Sequence, residues 1–218
     1  MEYVIEIQDV QKQIKEKQLL KNVTMQVEKG SIVGIVGRNG SGKTVLFKCI
    51  CGFMKADAGK IIVNKKEIGK NSGLAEKTGI IIENPGFLPN YSGYKNLAFL
   101  AGIQGKIEKE KIYEVMKLVG LDPLNKKAVK TYSMGMKQRL AIAQAIMEEQ
   151  ELLILDEPMN GLDNHGVQDI RKVLLDLKEQ GKTILMASHM KEDIEVLCDK
   201  VYKMDDGILS EDGGMIQL

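Results

Sequence analysis

The chain has 218 residues, 44% of them hydrophobic, with 31 Lys plus Arg against 30 Asp plus Glu. That is long enough for one large α/β domain with a subdomain inserted in it, and a formal net charge of +1 supplies no field that would favour bulk nucleic acid. The three cysteines, Cys49, Cys51 and Cys198, make no disulfide framework. On a helix Cys49 and Cys51 point to different faces, which predicts buried thiols in a reducing compartment rather than a metal pair. The opening Met1-Glu-Tyr-Val-Ile-Glu-Ile has no basic region ahead of a long apolar stretch, and no run approaches the roughly 18 apolar residues of a membrane span. A cytosolic protein is expected, reaching a membrane only through a partner or its surface.

In chain order, residues 3–7 and 23–27 alternate as half-buried strands do, and Ile61-Ile62-Val63 is a further short strand. These predict an antiparallel layer around a phosphate-type loop. Ser31-Ile-Val-Gly-Ile-Val36 reads as a buried strand running into Gly37-Arg38-Asn39-Gly40-Ser41-Gly42-Lys43-Thr44, and Thr44-Val-Leu-Phe-Lys-Cys-Ile50 follows as a helix. Gly79–Ile82, Leu152–Leu155 and Thr183–Met186 are short continuous apolar runs, the mark of strands covered on both faces of a parallel sheet. Residues from about 84 to 150 read mainly as helices. Ile112, Val115, Met116 and Val119 share one helical face there, with Gly120 as the stop, and Val167, Ile170, Val173, Leu174 and Leu177 share another further on. The expectation is one domain over residues 1–218. Its α/β core and β layer take residues 1–83 and 151–218, and a helical subdomain takes about 84–150.

The loop at 37–44 carries the most specific chemistry. Gly37, Gly40 and Gly42 let the backbone curl with its amides turned in around a polyphosphate, alongside Arg38, Asn39 and Ser41. Lys43 brings a point charge to the β- and γ-phosphates, and the Thr44 hydroxyl can ligate Mg²⁺. The following helix turns its N-terminus to the phosphates. A nucleoside triphosphate is the expected ligand. Leu152-Leu-Ile-Leu-Asp156-Glu157-Pro158 is a buried strand ending in acids. Asp156 is the candidate metal-side carboxylate, and Glu157 the candidate general base for an attacking water.

The order of these motifs resembles the nucleotide-binding subunit of an ATP-binding-cassette (ABC) transporter, over nearly the whole chain. Tyr132-Ser-Met-Gly-Met-Lys-Gln-Arg-Leu140 resembles the signature motif, whose common form is Leu-Ser-Gly-Gly-Gln. Asn160-Gly-Leu-Asp163 resembles the dimer-contacting D-loop, Ala-Ser-His189 the switch histidine, and Glu83-Asn-Pro-Gly stands in the place of the Gln loop. The resemblance implies a phosphate-loop (RecA-like) ATPase core and two such subunits head to tail, as a homodimer or with a related cassette. ATP and Mg²⁺ would be sandwiched between them, and integral-membrane permease subunits would be driven from the inner face of the membrane. It implies that Ser133 and Gly135 bind the γ-phosphate held by the opposite subunit, that His189 contacts that phosphate, that Asp163 lies at the dimer contact, and that Glu83 faces the metal and the lytic water. His165 reads as surface or interface.

Departures from the family pattern are also informative. Met134 and Met136-Lys137 replace the usual Gly and Gly-Gln. Ile14 falls where an aromatic ring commonly stacks on adenine, and residues 8–24 hold no aromatic, so an aliphatic contact is expected instead. Glu83 in place of Gln, followed by Asn-Pro-Gly-Phe, resembles the subfamily that expels bacitracin and lantibiotic-type peptide antibiotics. The alternative reading is a soluble ABC ATPase acting as a nucleotide-gated clamp on the ribosome or DNA.

Overall fold

The computed structural model describes residues 2–69, 75, 77–83, 86–105 and 107–211. The first half runs β1 (Tyr3–Ile14), β2 (Lys17–Glu28), β3 (Ile32–Val36), α1 (Lys43–Ile50), β4 (Ala58–Val63), β5 (Lys66–Glu67) and β6 (Thr78–Ile81). Three helices follow, α2 (Gly93–Gln104), α3 (Lys109–Leu118) and α4 (Met134–Ile146). The chain then returns to the core as β7 (Leu152–Asp156), α5 (Asn164–Glu179), β8 (Thr183–Ser188), α6 (Lys191–Leu197), β9 (Lys200–Asp205) and β10 (Ile208–Glu211).

Two sheets carry the fold. The N-terminal one has strand order β2-β1-β4-β5, and the larger one β10-β9-β3-β8-β7-β6. In the larger sheet β3 pairs in parallel with β8 and β9, β7 pairs in parallel with β6 and β8, and β10 closes the edge antiparallel to β9. Every residue of β7 and β8 is buried, which is why both segments are continuous apolar runs rather than alternating ones. One core cluster joins Phe47, Leu46 and Ile50 of α1 to Ile5, Ile7, Val23 and Val27 of the small sheet. The other joins Leu97, Met116, Leu140 and Ile142 of the helices to Leu153, Leu155 and Leu174. Each such side chain contributes about 1.5–3 kcal/mol on burial, so the helices between β6 and β7 are fastened to the sheet by their own apolar faces.

β1 and β2 are twelve residues each, much longer than the 3–7 and 23–27 read from the pattern. Their outer halves are polar, and the ladder is broken by register shifts between Ile7 and Val10 and beyond, with Asp9 in the left-handed region at φ 49°. Each bulge resets the two-residue period that a pattern reading relies on. The Asp57 carboxylate braces this stretch, accepting from the Gln13 amide at 2.7 Å and the Lys12 ammonium at 2.8 Å. Helix α4 begins at Met134, where the Ser133 hydroxyl caps it by accepting from the Met136 amide at 3.2 Å. Gly120 ends the third helical stretch at φ 75°. A Cβ there would stand 2.4 Å from Arg139 Nη1, so the stop also makes room for a guanidinium from α4.

Burial pushes the Cys49 thiol up to about 11 and those of Cys51 and Cys198 up to about 12. All three are free thiols.

Candidate active site

The loop between β3 and α1 turns through Gly40 (φ 79°) and Gly42 (φ 118°), where a side chain would be strained. Gly42 is the N-cap of α1, so no side-chain cap occupies the helix N-terminus, leaving its free amides for an anion. The loop is pressed against a wall that leaves no space for side chains. A Cβ at Gly37 would stand 2.3 Å from the Met204 carbonyl oxygen, and one at Gly42 would stand 2.9 Å from that of Leu19. The Gly207 amide donates to the Ser41 carbonyl at 2.8 Å, and the Lys21 amide to the Gly207 carbonyl at 2.8 Å. The β9–β10 turn thus fastens the loop to β2.

Inside the loop, Lys43 is 5% exposed, and its ammonium donates to the carbonyls of Gly37 (2.6 Å) and Arg38 (3.2 Å). The Ser41 hydroxyl is buried without a partner, a donor that an oxyanion would satisfy. Arg38 and Asn39 stand exposed at the rim, Arg38 with a guanidinium nitrogen 3.3 Å from Asp205.

β7 and β8 bring their ends to the same place. The Thr44 hydroxyl donates to Asp156 Oδ2 at 2.6 Å. Burial raises Asp156 above the usual carboxylate range, against the Thr44 hydrogen bond, and the neighbouring Glu157 charge raises it further. A cation at this point would relieve that strain. The donor set, a hydroxyl beside a carboxylate, is of hard oxygens and suits Mg²⁺, which keeps waters and phosphate oxygens as its remaining ligands. No cluster of three or more His, Cys, Asp or Glu ligands exists among the described residues, so an all-protein cage for a softer metal is not formed by them.

Glu157 sits at φ 51°, its amide donating to the Ala187 carbonyl of β8 at 3.0 Å. Its Oε2 lies 2.7 Å from His189 Nδ1 and accepts from the His189 amide at 3.3 Å. Its Oε1 is buried, accepts no hydrogen bond and lies 3.9 Å from the Lys43 ammonium. One carboxylate oxygen is therefore held, and the other is a buried acceptor without a donor, which a water admitted with the nucleotide would satisfy.

A cleft of about 810 Å³ opens beside these groups, lined by Thr44, Asp156 and Glu157 together with Phe87, Met134 and Gln138. Glu83 lies on its wall at φ 59°, accepting from the Lys48 ammonium at 2.6 Å. Asn84 and Pro85 of the Glu83-Asn-Pro-Gly segment lie outside the described residues.

Lys43, Thr44, Asp156, Glu157 and His189 are thus one constellation, with Glu83 at its margin. Ser133, Gly135, Asp163 and Ile14 stand apart from it, with no hydrogen bond to the 37–44 loop among the described residues. Ser133 caps α4, and Asp163 caps α5 by accepting from the Gly166 amide at 2.7 Å. Gly135 packs on the D-loop, where a Cβ would meet the Gly161 carbonyl oxygen at 3.0 Å. Ile14 ends β1 at the hairpin turn, 42% exposed. His165 is on the surface, 3.2 Å from Asp169.

Two site neighbours escaped the sequence reading. Gln138 of α4 donates to the Pro158 carbonyl at 2.9 Å and the Glu157 carbonyl at 3.4 Å, holding the backbone beneath the acid. Lys48 lies four residues after Thr44 on α1, so it shares that residue's face. The spacing alone could have flagged it.

Comparison with known proteins agrees with this geometry. A family model described as ABC transporter matches residues 20–160. The chain is 41% identical over 220 residues to the bacitracin transport ATP-binding protein BcrA of Enterococcus faecalis, covering 100% of this chain and 71% of that protein. It is 36% identical over 196 residues to the lantibiotic transport ATP-binding protein SrtF of Streptococcus pyogenes, covering 90% and 84%. Among solved structures, cbiO1 of Clostridium perfringens, described as part of the ABC transporter complex cbiONQ, superposes with a TM-score of 0.82 at 29% identity, over 96% of this chain and 88% of that one. The glycine loop, the paired acids at the end of β7 and these likenesses have one reading: the chain belongs to the ABC transporter family as an ATP-binding, ATP-hydrolysing subunit homologous to bacitracin and lantibiotic transport ATPases.

Proposed function

We propose that this subunit closes as a dimer on Mg-ATP and reopens on hydrolysis, driving peptide-antibiotic export through separate membrane-spanning subunits. The observation that carries the reading is the meeting of Lys43, the Thr44–Asp156 pair and the Glu157–His189 pair at the ends of β3, β7 and β8. Lys43, Ser41 and the loop amides take the phosphates. Thr44 and Asp156 would hold Mg²⁺, which would supply charge neutralisation to the triphosphate. Glu157 orients and deprotonates the attacking water, and His189 holds the carboxylate in place and contacts the γ-phosphate. Ser133 and Gly135, which stand apart from their own loop, serve the nucleotide of the other subunit, and Asp163 lies at the contact between the two.

No helix among the described residues is long and apolar enough to cross a membrane. In this reading the membrane path belongs to a partner, and the subunit works on the cytoplasmic face. Purification from detergent-solubilised membranes tests this. An integral-membrane protein in stoichiometric association is the expected outcome, whereas ribosomes or DNA in its place would establish the clamp reading instead.

Two results follow from the departures. With Ile14 in the place of an aromatic ring, affinity rests on the polyphosphate, since a base–aromatic stack is worth ~1–3 kcal/mol. GTP is expected to be hydrolysed within about tenfold of the ATP rate, a difference of ~1.4 kcal/mol. A preference for ATP of a hundredfold would show that another side chain reads the base. At Glu83, the Gln variant keeps an oxygen toward metal and water and should retain substantial ATPase activity, and the Ala variant should lose more. Because one anionic group near the cation is gone, Glu83→Gln should need more Mg²⁺ for half-maximal rate. Drug resistance in cells should suffer more than hydrolysis. Identical Mg²⁺ titrations and equal cell protection for parent and both variants would make Glu83 an ordinary loop residue.

A further inference from the structure

His189 lies in a two-residue connection between β8 and α6. Beneath it is a buried polar chain that no step of the reaction above uses. Ser188 is 2% exposed and Asp193 fully buried. Asp193 Oδ1 accepts from Arg171 of α5 twice, from Nε at 2.9 Å and Nη2 at 2.6 Å. Its Oδ2 is left for the Ser188 hydroxyl, which donates to it at 3.2 Å. The same hydroxyl accepts from the Met190 amide at 3.0 Å. The proton order has one direction: an arginine only donates and an ionised carboxylate only accepts, so the Ser188 hydroxyl must give its proton to Asp193 and offer a lone pair to Met190.

We propose that Ser188 and Asp193 are positioning residues for His189, clamping the backbone on both sides of the imidazole so that its Nδ1 stays on Glu157. This rests on the reading of Glu157 and His189 as the reacting pair. Three observations carry it. The loop is so short that a bond from Ser188 to the Met190 amide spans the residue to be held. The contact it preserves, 2.7 Å from His189 Nδ1 to Glu157 Oε2, is made by a half-exposed ring with no other side-chain hydrogen bond among the described residues. A buried ion pair is also a poor source of net stability compared with an apolar pair of the same volume, so its place directly under the loop points to geometry rather than cohesion. Arg171 extends the clamp to α5, the helix capped by Asp163. The histidine loop and the D-loop helix are thereby braced to each other.

The test uses Ser188→Ala, which removes both hydroxyl bonds and leaves the Arg171–Asp193 pair intact, with Ser188→Thr as the conservative variant. The chain has two histidines, so the imidazole NMR spectrum reports His189 with His165 as the reference. The Ala variant is expected to shift the His189 signals and leave those of His165 in place. It should lower kcat about tenfold while KM for ATP stays within about twofold, as expected when a reacting group is displaced by a fraction of an ångström. The Thr variant should restore both, and in a His189→Ala background Ser188→Ala should cost nothing further. Unmoved His189 signals with full kcat, a loss that persists without His189, or a spectrum in which His165 moves as well would each overturn the proposal. If His189→Ala itself turns over normally, it is the catalytic reading that fails, and the imidazole spectrum alone then decides whether Ser188 positions the ring.

Discussion

Glu157→Gln should lower ATP turnover by roughly 10²- to 10⁴-fold, the usual worth of a positioned general base, while leaving ATP affinity nearly unchanged. The substitution keeps the shape of the side chain. A carboxamide oxygen can still accept from the His189 amide, and the backbone at φ 51° with its amide on Ala187 is untouched. What it removes is the basic Oε1, the buried oxygen without a hydrogen bond. Gln also takes away one negative charge 3.9 Å from Lys43, which slightly favours the triphosphate. Binding without turnover should therefore trap the closed form, and the variant should run as an ATP-dependent dimer on size exclusion. Near-normal turnover would remove Glu157 from the role.

Lys43→Ala should show the opposite profile, losing binding before chemistry. The ammonium is nearly buried and already held by two carbonyls, so it meets the phosphates without a large ordering cost. Without it, Asp156 and Glu157 face a polyanion uncompensated. Truncating one partner of a desolvated charge pair typically costs ~2–5 kcal/mol, which is roughly 30- to 5000-fold in Kd. Calorimetric titration with a non-hydrolysable ATP analogue measures this directly. Affinity within threefold of the parent would mean that the loop amides and metal hold the triphosphate by themselves. With binding expected to survive Glu157→Gln and to be lost in Lys43→Ala, the pair of variants tests whether phosphate binding and the role proposed for Glu157 are separable.

Much of the molecule was legible because its determinants are local. The loop at 37–44 is written in glycines, of which Gly40 and Gly42 take positive φ values that few other residues adopt. β7 and β8 are legible because strands covered on both faces must be apolar throughout. The outer halves of β1 and β2 were not, because their side chains face solvent and the bulges at Asp9 and beyond break the period. The β9–β10 hairpin carried a readable sign in Asp206-Gly207, both at positive φ, the turn expected between paired strands. The small sheet nevertheless has to be in place before one sees that this turn braces the phosphate loop.

The identities of Lys43, Thr44, Asp156 and Glu157, and the elements that end in them, follow from the sequence by itself, since each depends on residues within a turn or a strand of it. Only the tertiary structure decides their distances. Thr44 and Asp156 are 112 residues apart in the chain, and they meet because α1 packs against β7 although β8 lies between β3 and β7 in the sheet, an order that chain order does not dictate. The same holds for Gln138 beneath Glu157, for Lys48 on Glu83, and for the Arg171–Asp193–Ser188 chain under His189. Polar partners like these are chosen by whatever the packing of apolar faces happens to bring within hydrogen-bond range. That packing is a property of the whole core, not of any one segment.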